Sequence, residues 1–255
     1  MIIDTHAHLN IEDFDQDLDE VLERARRAGV ERVIVIGMDE ASNARALELA
    51  QSYDMLYASA GIHPGYIEGQ DTSSLARFYS EESVVAVGEC GIDLHWRQDN
   101  LAEQKRVFKA QIELAIEHRL PLIIHTRDSF AEAYAVLKPY QGRVTGVFHC
   151  FQSTLEDAER AIDLGFLIGI DGPVTYPKSS ELERILKAID LKHILVETDS
   201  PFLAPQEKRG KRNEPAYLEH IVERIAHIKS IKPSYVADQT TKNAYQLFQL
   251  GGKNT

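Results

Sequence analysis

Eight short apolar, β-branched runs recur along this chain, and the stretches between them carry helical periodicity. The runs read Ile2-Ile3-Asp4-Thr5, Val33 to Ile36, Leu56 to Ala60, Val84 to Val87, Leu122 to Ile124, Val144 to Phe148, Phe166 to Ile170 and Ile194 to Val196. Successive starts lie between 22 residues (122 to 144) and 38 residues (84 to 122) apart, the length of a strand plus a crossover helix. Between them Phe14, Leu18, Val21, Leu22 and Ala25 form one stripe at the 3.6-residue period. Phe108, Ile112, Ala115 and Ile116 form a second, and Leu218, Ile221, Val222, Ile225 and Ile228 a third. Strands that lack strict alternation are buried on both faces, and a helix after each strand implies a parallel sheet covered by helices. Eight such units in 255 residues match a closed (β/α)8 TIM barrel, with an open doubly wound sheet as the alternative. No Pro-, Gly- or Ser-rich linker interrupts the repeat, so residues 1–255 read as one α/β domain ending in a frayed tail, Gly251 to Thr255.

Composition narrows the function classes. Hydrophobic residues make up 44% and charged residues 27%, which excludes disordered and collagenous chains. The longest apolar runs, such as Leu120 to Ile124, fall far short of the roughly 20 residues that cross a bilayer. The start, Met1-Ile2-Ile3-Asp4, has neither a basic segment nor a long apolar one, so a cytoplasmic location is expected, with no membrane partner. Cys90 and Cys150 are too few for a disulfide scaffold and are expected to be free thiols. The net charge of −12 opposes a polyanion and argues against a protein that coats nucleic acid. It leaves room for an enzyme that grips a phosphodiester through bound cations. No motif calls for an obligate protein partner.

Acidic and imidazole side chains gather where the runs end. The first passes into Asp4-Thr5-His6-Ala7-His8, and alternation along a strand puts Asp4, His6 and His8 on one face. The fourth ends at Glu89, the fifth at His125, the sixth at His149 and the eighth at Asp199. His6, His8, Glu89, His125, His149 and Asp199 would thus share the C-terminal end of the barrel, where barrel enzymes carry their active sites. Each histidine alone reads first as a packed, hydrogen-bonded side chain; the shared placement of all six residues does not. Four imidazoles and two carboxylates suit zinc, manganese, nickel, cobalt or iron better than calcium. Six ligands exceed what one catalytic ion with an open position uses, so two ions are expected. Glu89 would bridge them, with His6, His8 and Asp199 on one ion and His125 and His149 on the other.

At these positions the sequence resembles the TatD-type metal-dependent hydrolases, one branch of the amidohydrolase-like barrels. The resemblance rests on Asp4-Thr5-His6-Ala7-His8-Leu9, Gly61-Ile62-His63-Pro64, Gly88-Glu89-Cys90-Gly91-Ile92-Asp93, Ile124-His125-Thr126-Arg127, His149-Cys150-Phe151 and Glu197-Thr198-Asp199-Ser200-Pro201. It spans residues 2 to about 248. It implies a binuclear divalent-metal site with the ligands above, magnesium also being among the ions to consider, and a deoxyribonuclease activity, often 3′ to 5′, with DNA as substrate. By the same resemblance His63 is a substrate-site residue, and Arg212 and Asn213 belong to a substrate-contacting segment.

Roles follow from chemistry, each beside a plainer reading. Two ions lower the pKa of a water between them and clamp the attacking and leaving oxygens of a phosphodiester. Asp199 is the candidate general base, or else caps the turn at Ser200-Pro201. Glu197 and Asp4 are placed to accept the second ring N–H of a ligating histidine, or else pair within the core. Arg127 carries a planar fork suited to phosphate, or else pairs with Asp128 or Asp93. Lys208-Arg209-Gly210-Lys211-Arg212 is a basic run that meets backbone phosphate or is merely solvated. Cys90 and Cys150, one residue past a ligand, are expected to point away from it. Trp96 and Phe202 either stack on a base or close the barrel top. The competing function is a binuclear amidohydrolase opening a small cyclic amide or ester; Glu89 in place of a modified bridging lysine, together with the basic loop and Arg127, favours phosphate.

Overall fold

The computed structural model describes residues 1–251; the expected frayed tail, apart from Gly251, lies outside them. Eight strands pair in chain order, every neighbour parallel: β1 (Ile2–Ala7), β2 (Val30–Val35), β3 (Leu56–Ala60), β4 (Val84–Asp93), β5 (Leu122–Arg127), β6 (Gly146–Phe148), β7 (Phe166–Ile170) and β8 (Ile194–Val196). The ring closes just beyond β8. There Asp199 N–H donates to the His6 carbonyl (2.9 Å) and His8 N–H to the Ser200 carbonyl (2.7 Å). The architecture is the expected (β/α)8 barrel.

The helices are α1 (Leu18–Arg27), α2 (Glu40–Ser52), α3 (Leu101–His118), α4 (Phe130–Leu137), α5 (Leu155–Asp163), α6 (Ser180–Ala188), α7 (Leu218–Lys229) and α8 (Pro233–Phe248). Their buried stripes include Leu18, Val21, Leu22 and Ala25 of α1 and Leu218, Ile221, Val222, Ile225 and Ile228 of α7. The crossover between β3 and β4 departs from the expected helix and runs as 3-10 turns over Thr72–Ser80. Its serines explain this: Ser73 bonds to the Asp71 carboxylate, and Ser74 and Ser80 to the carbonyls of Asp71 and Arg77. These local bonds compete with helical ones.

Two apolar layers hold the barrel. Outward-facing strand residues such as Val33, Leu56, Val87, Ile124, Phe148 and Ile168 pack with the helices. Ile3, Ile34, Tyr57, Ile123, Val147 and Leu195 fill the interior, where Ala244, Phe248 and Leu250 join them at the end of α8. The N-terminal end of the barrel is thereby plugged, leaving the C-terminal end as the mouth. Among the described residues no helix is long and apolar enough to cross a membrane.

Candidate metal centre

Irregularities in two strands aim the central side chains. Ile3 and Ala7 would share a face on an unbroken strand, yet Ile3 belongs to the interior and Ala7 to the outer layer, because the β1–β2 register slips between Asp4 and Ala7. The strict alternation expected for Asp4, His6 and His8 is therefore broken. A second slip between Val87 and Cys90 brackets Glu89. Close approach of β5 is permitted by Gly91, at φ +140°, where a Cβ would stand 2.1 Å from the His125 carbonyl oxygen.

The candidate ligands converge on Glu89. Its Oε2 lies 3.4 Å from His6 Nε2 and 3.9 Å from His8 Nε2. Its Oε1 lies 3.0 Å from His125 Nδ1, 3.2 Å from His149 Nε2 and 3.8 Å from His63 Nε2. Asp199 Oδ1 stands 3.2 Å from His8 Nε2 and 3.6 Å from His6 Nε2. Three overlapping sets each bring their donor atoms within 4.8 Å of one another: His6, His8 and Glu89; His6, His149 and Asp199; His63, Glu89 and His125. His149 stacks on His6 at 3.7 Å between centroids, so it sits between the two expected halves rather than in one. His63, expected to touch substrate, joins the cluster from the end of β3.

The electrostatics suit cations. Every oppositely charged group within 4 Å of Glu89 or Asp199 among the described residues is a histidine. Burial alone would raise the Glu89 carboxyl, but His149, His6 and His125 hold it well below the ordinary carboxylate range. Asp199, likewise buried, is held down by His8 and His149. Burial and the neighbouring His149 lower His6, and burial with His125 beside it lowers His63 to about 3. His6 Nε2 and His8 Nε2 face each other at 3.3 Å. Burial opposes the charged form of His125 and His149 as well, but Asp93 and Glu89 raise His125, and Glu89 and Glu197 raise His149. Imidazole nitrogens that converge on two ionised carboxylates, with no Lys or Arg paired to either among the described residues, form a donor set that divalent ions fit.

Around this centre the expected supporting residues divide. Glu197 Oε1 lies 3.4 Å from His149 Nδ1 and accepts the Cys150 N–H at 2.6 Å. Its room comes from Gly169, where a Cβ would meet that carboxylate oxygen at 2.4 Å. Asp4 instead accepts from Thr198 N–H (2.9 Å) and Thr198 Oγ1–H (2.6 Å), with no histidine ring nitrogen among its partners. It braces β1 against the end of β8. The carboxylate that meets the far nitrogen of a candidate ligand is Asp93, whose Oδ2 lies 2.9 Å from His125 Nε2. Sequence reading missed this role; the signal was its place four residues beyond Glu89. Just beyond β7 stands Asp171, fully buried, its carboxyl pushed up to about 8 by burial and by nearby Glu197 and Asp199.

The outer candidates also separate. Arg127 pairs with neither Asp128 nor Asp93: its guanidinium lies over the Trp96 ring at 5.4 Å, while Asp128 meets His95 and Asp93 meets His125. Arg212 is already held, bonding bidentately to Asp17 at 2.9 and 2.7 Å and lying over the Phe14 ring. Asn213 is fully buried and its amide N–H groups donate to the Thr198 and Phe202 carbonyls. Both fasten the loop after β8 to the barrel. Cys90 packs in the outer layer, away from Glu89 as expected; Cys150, at φ +46°, is part-exposed beside Gln152. Trp96 and Phe202 do not close the barrel top: they are 74% and 51% exposed.

Comparison with known proteins agrees with this geometry. The family model described as TatD related DNase matches residues 3–249. A Bacillus subtilis protein named uncharacterized metal-dependent hydrolase YabD is 41% identical, over 98% of this chain and 100% of its own. The Citrobacter koseri protein named 3′-5′ ssDNA/RNA exonuclease TatD is 35% identical, over 98% and 99%. Among solved structures, the YjjV TatD homologue of Escherichia coli superposes with a TM-score of 0.90 at 31% identity, covering 98% of both chains.

Proposed function

The chain belongs to the TatD-related DNase family of metal-dependent hydrolases, and from that premise we propose that it cleaves phosphodiester bonds of DNA, removing nucleotides from the 3′ end of single strands. In this reading two divalent ions are held by His6, His8, Glu89, His125, His149 and Asp199. The observation that carries it is the convergence on Glu89: one oxygen faces His6 and His8, the other faces His125 and His149, with His149 also stacked on His6. A carboxylate so surrounded would serve as a shared ligand.

Ions held there by these residues would supply Lewis acidity to activate water and to offset charge on the phosphate. The chain's own groups do the rest. Asp199 stays ionised and accepts the proton of the attacking water as general base. Glu89, also ionised, offers both oxygens at once. Asp93 and Glu197 hold the rings of His125 and His149 in place. Arg127, bound to no carboxylate, presents its fork to phosphate oxygens. The direction of digestion and the preference for single strands are carried over from relatives about 35% identical that are named 3′-5′ ssDNA/RNA exonucleases.

The test is cleavage of 3′- and 5′-labelled single-stranded DNA by metal-stripped protein, adding back magnesium, manganese, zinc, nickel or cobalt singly, beside a Glu89→Ala control. Metal-dependent shortening from the 3′ end, absent in the control, is expected. No cleavage with any ion, while two ions still bind per chain, would overturn the nuclease reading in favour of a small amide or ester substrate.

A further inference from the structure

One cavity at the barrel mouth is not used by the chemistry above. It encloses about 310 Å3 between the turn after β3 and the segment after β4, with His63, Pro64, Tyr66, Asp93, Trp96 and Asn100 among its walls. Two of those walls are continuous with the metal centre, since His63 approaches Glu89 and Asp93 holds His125. The outer walls are aromatic. Trp96 and Tyr66 are 74% and 49% exposed, and large apolar side chains left open beside an active site call for a ligand.

Trp96 is also held in position. The N–H groups of Trp96 and His95 both donate to Asp93 Oδ1, at 3.1 and 2.9 Å, and the His95 ring meets the indole edge-on. The same Asp93 therefore fixes a candidate metal ligand with one oxygen and the tryptophan's backbone with the other. The cations nearby differ in availability. Arg97 is engaged by Asp99 and Glu68, whereas Arg127 has no carboxylate partner among the described residues and rests on the indole.

We propose that this cavity receives the terminal nucleotide of the strand, its base stacked on Trp96 and its phosphate reached by Arg127. The inference rests on the nuclease reading above. The volume lies at the lower end of small-ligand pockets, which suits one nucleotide rather than a running strand. The polar wall groups are mostly taken up internally: Asn100 Oδ1 accepts from Gln104, and His63 Nδ1 accepts from Gly65 N–H. Recognition is thus by stacking, which every base offers, and terminal-base identity should change the rate little.

Trp96 is the sole tryptophan, so its fluorescence reports on the cavity without any turnover. Titrating thymidine 5′-monophosphate into metal-loaded protein should quench it saturably, and 2-deoxyribose 5-phosphate should not. Equal quenching by the two, or none by either, overturns the pocket. In cleavage assays Trp96→Ala should lower kcat/KM about 5- to 150-fold on intact single strands, the span expected for losing one stacked base. Trp96→Phe should recover most of that, and a strand whose 3′-terminal residue lacks its base should be indifferent to Trp96→Ala. An equal loss on the abasic strand, or dependence on the penultimate base instead, overturns the proposal while leaving the nuclease reading intact. Base-dependent quenching by a protein that cleaves no DNA removes the nuclease reading alone.

Discussion

Two carboxylates within a few residues of candidate ligands are separated by what they touch. Asp199 faces His8 and His6 in the cluster, and Asp199→Asn keeps its size while removing a charge and a base. Turnover is expected to fall by about 100- to 10,000-fold with the fold retained, as measured by single-turnover cleavage and circular dichroism; a fully active variant would remove Asp199 from the chemistry. Asp93 acts through His125. Asp93→Asn is expected to weaken metal affinity or activity about 10- to 100-fold, read by metal content per chain and by the metal concentration at half-maximal rate. Unchanged metal dependence would reduce Asp93 to a brace for the Trp96 segment. Asp93 was hidden in the sequence because the apolar run of the fourth strand stops at Val87, whereas the strand itself continues to Asp93. That Glu89, His125, His149 and Asp199 gather towards the C-terminal end of the barrel was legible from where each apolar run stops, but Glu89 and His125 lie within β4 and β5, which run on to Asp93 and Arg127 rather than ending at these residues. Which way each side chain turns was not legible, because the register slips in β1 and β4 obey backbone pairing rather than residue type.

At the scale of elements, the loop after β8 shows how a basic run can also serve to anchor itself. Its Lys208-to-Arg212 segment reads as a phosphate contact, but Arg212 is spent on Asp17, just ahead of α1, and Arg24 of α1 pairs with Glu214 at 2.7 Å. The loop is tied down by a small ion-pair network that a one-dimensional reading could not see, since its partners Asp17 and Arg24 lie almost two hundred residues earlier. Arg212→Ala should therefore lower stability more than activity. The pair is partly exposed, so solvent screening limits the loss to about 1 kcal/mol, a few degrees in Tm. Its pH dependence follows from Asp17, whose carboxyl is lowered from its ordinary 3.8 chiefly by the Arg212 hydrogen bond. A lowered carboxyl contributes stability above the unfolded value and loses it as pH falls through the folded one. The Tm gap between wild type and Arg212→Ala should be full at neutral pH and close below pH 3.8. A gap that persists in acid would assign the effect to packing over Phe14 instead.

For the molecule as a whole, the barrel was legible because its periodicities repeat eight times, and a local exception such as the serine-rich third crossover does not disturb the count. The metal centre was legible only in part, since a cluster assembled from β1, β3, β4, β5, β6 and β8 depends on closure of the ring, which no single segment encodes. That same convergence links the ions to stability. Glu89 and Asp199 are buried and ionised, and among the described residues histidines are their only oppositely charged neighbours within 4 Å, so ions held by the folded chain would lose their site on unfolding. At a free metal concentration one hundred times the dissociation constant, one ion adds about 2.7 kcal/mol. In a chain of this length that corresponds to roughly 5–10 °C in Tm. Chelation should lower the wild-type Tm by that order and addition of the active ion should restore it, whereas Glu89→Ala, lacking the shared carboxylate, should respond little to either. A wild-type Tm indifferent to chelator, in protein shown to have lost its metal, would mean that the histidine and carboxylate cluster is already satisfied without ions, and would undercut the two-metal reading at its base.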